Sequence, residues 1–113
     1  MNKENEECCK NLFELLEKYD SGFTDIIYNF SQVEVGKVCK LSDKEKFLCN
    51  LSVLIGCQSL SMFGNLLDVA LKKNVDVIAI KEMLYQATAY LGIGRIYDYL
   101  IKVNEIMLKN EYH

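Results

Sequence analysis

Apolar residues recur along this chain at intervals of three and four almost from end to end, and no stretch alternates long enough to build a sheet. Residues 6–19 place Leu12, Leu15 and Leu16 on one helical face and run into the turn residues Asp20-Ser21-Gly22. Thr24 can cap a second helix reaching about Val33, after which Val35-Gly36-Lys37-Val38 reads as a loop. Ser42 followed by Glu45 has the spacing of a capping box, in which each residue's side chain accepts from the other's backbone N–H. The third helix starts there and carries Phe47, Leu48, Leu51, Leu54 and Ile55. Gln58 to Ser61 fits either a break or a bend. A fourth helix offers Phe63, Leu66, Leu67 and Ala70 to a core, and Asp76 caps a fifth. Gly92 interrupts the pattern before a sixth helix, with Ile96, Leu100, Val103 and Met107 on one face. The expected fold is all-α: a single compact helical domain of about six helices spanning residues 1–113.

Two stretches, Leu51 to Phe63 and Ile93 to Leu108, are apolar on more than one face, which a chain of 113 residues cannot bury entirely against itself. A homo-oligomer is therefore expected. Half the residues are hydrophobic and none is proline, which suits long unbroken helices. The net charge of -3, with Arg95 as the only arginine, excludes the clustered basic face that nucleic acid requires. No apolar run is long enough to span a membrane, and the charged N-terminal residues lack the core of a secretory signal. A cytoplasmic protein with no membrane partner is expected. Cys8, Cys9, Cys39, Cys49 and Cys57 are an odd set without framework spacing, so free thiols in a reducing compartment are the simpler reading. With no Cys-x-x-Cys and His113 the only histidine, no metal site and no cofactor are implied.

Within the fifth helix, Glu82, Gln86 and Tyr90 stand four residues apart, so an acid, an amide and a phenol share one stripe beside the apolar stripe of Ile80, Leu84, Ala87 and Leu91. Such a polar line either faces water or lines a cavity. The stripe, the Ser42/Glu45 helix start, the Ala70-Leu71 pair, the turn from Lys72 to Asp76 and Gly92 occur in an order that resembles the carboxymuconolactone decarboxylase family, which includes the alkylhydroperoxidase-like disulfide reductases. The resemblance covers residues 41–100. It implies an all-helical protein assembled as a trimer or hexamer around a small-molecule pocket, with decarboxylase-like lyase chemistry if the chain is active. The redox branch carries a Cys-x-x-Cys pair and a histidine before the Ala-Leu pair. Here Ser59, Met62 and Leu66 stand at those positions, and Gly94 replaces the family's usual proline.

Each candidate residue has a chemical and a structural reading. Glu82 is the candidate acid or base for proton transfer, although a mid-helix glutamate is commonly a solvated surface residue. Gln86 and Tyr90 can orient a ligand or serve as polar packing contacts. Arg95 is the one guanidinium able to hold a carboxylate, or an ion-pair partner for Glu82 or for a neighbouring subunit. Cys57 is a weaker catalytic candidate: peroxide or disulfide chemistry through it needs a second thiol to resolve the mixed disulfide, and a lone cysteine in an apolar helix more often packs as a small hydrophobe. A third reading is a non-catalytic helical interaction module whose apolar faces serve assembly.

Overall fold

The computed structural model describes residues 13–111. The fold is all-α. Its elements are α1 (Glu14–Tyr19), α2 (Ser21–Tyr28), a π-helical segment (Asn29–Glu34), α3 (Val35–Val38), α4 (Asp43–Gly56), α5 (Leu60–Lys72), α6 (Val77–Leu91) and α7 (Ile93–Glu111). Because α2, the π segment and α3 follow without a gap, these elements form six continuous helical stretches. By their internal contacts the described residues divide into a unit ending at Leu41 and a unit beginning at Ser42.

In the first unit, residues 6–12 of the expected first helix, together with Cys8 and Cys9, lie outside the described residues. The helix seen, α1, leaves Leu15 and Leu16 exposed, whereas Phe13 is buried. Asp20 then ends one helix and caps the next, its carboxylate accepting from the Phe23 N–H at 3.3 Å. Thr24 is therefore not the cap but sits one turn inside α2, buried, its hydroxyl donating to the Asp20 carbonyl at 2.8 Å. The stretch 35–38 is also helical rather than a loop. The preceding π turn widens the backbone, and the Ser31 hydroxyl donates back to the Ile27 carbonyl at 2.7 Å, a local competitor for the helical ladder.

The second unit is a bundle of α4 to α7 in which the principal contacts run α4 to α5, α5 to α7, α7 to α6 and α6 back to α4. Its entry is the capping box: the Glu45 N–H donates to Ser42 Oγ at 3.2 Å, and the Ser42 N–H donates to Glu45 Oε1 at 2.9 Å. That reciprocal pair satisfies two of the donors every helix start leaves free. The open choice at Gln58 is resolved as a break. Gln58 adopts φ 61°, the Gln58 N–H donates to the Ile55 carbonyl and the Ser59 N–H to the Leu54 carbonyl, which is a Schellman termination. The same motif closes α5, with Asn74 at φ 65° and Val75 folding back to donate to Ala70. Asp76 caps α6, accepting from the Ile78 N–H at 2.9 Å, and Gly92 joins α6 to α7 at φ 84° and ψ 154°, a region essentially reserved for glycine.

Leu51 and Ile55 of α4, Phe63, Leu66, Leu67 and Ala70 of α5, Ile80 and Leu84 of α6, and Ile96, Tyr99 and Val103 of α7 are buried. The rings of Phe63 and Tyr99 meet edge to face, 5.0 Å between centroids and 87° between planes. Gly64 lets α5 approach α7, since a Cβ there would stand 3.3 Å from the Lys102 Cδ. The aliphatic stem of Lys102 thus lies against the glycine, while its ammonium pairs with Glu105 at 3.7 Å.

Candidate functional site

The polar stripe of α6 exists as the four-residue spacing requires, and it faces solvent. Glu82 and Gln86 are exposed and Tyr90 is 89% exposed, while Ile80 and Leu84, on the other side of the same helix, are fully buried. The packing that defines the core face thereby turns the stripe outward. Arg95 is exposed in the first turn of α7, and among the described residues neither Arg95 nor Glu82 enters an ion pair. Among the described residues no ion pair joins Arg95 to the stripe.

Cys57 is exposed at the C-terminal cap of α4, with its thiol donating to the Leu54 carbonyl at 3.6 Å. The exposed Cys49 lies on the same helix, eight residues earlier, a rise of about 12 Å that no disulfide spans. Tyr99 lies within electrostatic reach of Cys57: burial holds its hydroxyl above the ordinary value of 10.0, and negative charge on Cys57 and Asp98 pushes the same way. Of the positions that carry the redox groups in the resembled family, Leu66 is buried core, Met62 is half-buried and Ser59 lies in the Schellman turn.

Two recesses are lined by residues other than those of the stripe. One, in the first unit, is lined by Phe13, Glu17, Thr24, Asp25 and Tyr28 and at about 20 Å³ has room for roughly one water. The other, about 160 Å³, is an open apolar hollow beside Leu71, Val77, Met107 and Asn110. Its edge is held by Asn110, which donates to Asp68 at 3.1 Å and to the Ile106 carbonyl at 2.9 Å, and by the 3.0 Å ion pair of Asp68 with Lys72. Burial raises the Asp68 carboxyl, but hydrogen bonds from Lys72 and Asn110 and the positive charge of Lys72 and Lys109 outweigh it, leaving the group below its ordinary 3.8. This cluster ties the end of α5 to the end of α7 and presents no free acid to the hollow. Among the described residues no three metal-ligating side chains converge, and no helix is long and apolar enough to cross a membrane.

α7 also carries an exposed apolar row. Ile93 is 61% exposed and Ile101 42%, and Tyr97 and Leu108 are exposed with them, while the same helix buries Ile96, Tyr99 and Val103 on its other side. The double-faced apolar pattern of Ile93 to Leu108 was the sequence signal for this surface. No family model, curated protein or solved structure gives a significant match to the chain.

Proposed function

We propose that this chain is a non-catalytic helical interaction module that works by assembly through exposed apolar helix faces. The observation that carries this reading is the outward row of large apolar side chains on α7, left in water by a helix whose inward face is already packed. The solvent-facing stripe of α6 supports it, since Glu82, Gln86 and Tyr90 are exposed and line neither of the two recesses.

A small-molecule pocket of the carboxymuconolactone-decarboxylase kind is the second reading, favoured by one observation. Glu82, Gln86 and Tyr90 do share an exposed edge of α6, so a second protomer laid over that edge would enclose them. Within one protomer the stripe is open. Thiol chemistry through Cys57 has an accessible sulfur in its favour but no resolving thiol within reach on its own helix.

Glu82→Gln separates the readings. Under the interaction reading the variant keeps the assembly state in sedimentation and changes stability by less than about 0.5 kcal/mol, as exposed substitutions do. A small carboxylate or lactone that binds the wild type and is lost in Glu82→Gln would replace the interaction module with the pocket.

A further inference from the structure

We draw no further inference here: the strongest candidate, the exposed apolar row of Ile93, Tyr97, Ile101 and Leu108 along α7, carries nothing beyond the reading above, since nothing in the structure shows what covers it.

Discussion

Replacing Phe63 by alanine tests the packing that holds the outward surfaces in place. Phe63 is 0% exposed, lies in α5 of the second unit and meets Tyr99 of α7 edge to face at 5.0 Å. Phe→Ala in a core costs about 3–5 kcal/mol through lost transfer energy and the cavity left behind. Full burial places this site in the upper half of that range, about 0.5–1.5 kcal/mol of which is the ring pair that vanishes with either partner. A domain of this size has about 5–15 kcal/mol of stability in total, so a loss of roughly 4 kcal/mol removes a large part of it. Urea unfolding followed by circular dichroism measures the loss. A cycle with Tyr99→Leu isolates the ring pair, because the double variant should be less destabilised than the sum of the singles by about 1 kcal/mol. Tyr90→Ala is the matched control: at 89% exposure the same kind of truncation should change stability by less than about 0.5 kcal/mol. A Phe63→Ala loss below about 1 kcal/mol, or equal losses at Phe63 and Tyr90, would refute the division of α5 to α7 into core and outward faces.

Three further outcomes follow from local geometry. Ser42→Ala removes the acceptor of the Glu45 N–H and should cost about 1 kcal/mol in chemical denaturation, with the helix retained. Gln58→Gly relieves a side chain held at φ 61° and should raise the midpoint of thermal unfolding, a gain of about 0.5–1 kcal/mol; a decrease would mean that the Gln58 side chain supplies more than its backbone strain removes. Asp68 is held below its ordinary 3.8 in the folded protein, so it binds protons less readily there than in the unfolded chain. Its contribution is present at neutral pH and is lost as pH falls from about the ordinary carboxylate value through the lower folded one. The stability gap between wild type and Asp68→Asn should therefore narrow on acidification, as followed by thermal melts across that range.

Local interactions explain which parts of the fold were legible in the order of residues. The Ser42/Glu45 box, the Asp76 cap and the glycine break at Gly92 are set by groups no more than a few residues apart, and each forms where its spacing predicts. The buried faces of α5 and α7 followed from helical period in the same way, as Phe63, Leu66, Leu67 and Ala70 and the pair Ile96 and Val103 show. Competition between neighbouring signals was not legible. Asp20 and Thr24 can both cap a helix, and Asp20 takes the role because its carboxylate reaches the Phe23 N–H while Thr24 is drawn inside the turn. At 35–38, Gly36 suggested a loop, but the helix arriving through the π turn continues over it.

The sequence by itself determined that the protein is all-helical, where its principal caps fall, and that Glu82, Gln86 and Tyr90 share one face, because these depend on spacing along a single helix. Only the tertiary structure decided that this face looks out to water and that α7 leaves a second apolar face uncovered. Helical period fixes which side chains share a stripe, but which stripe is buried depends on where the other helices lie. Contacts among α4, α5, α6 and α7 settle that, and they join residues far apart in the chain.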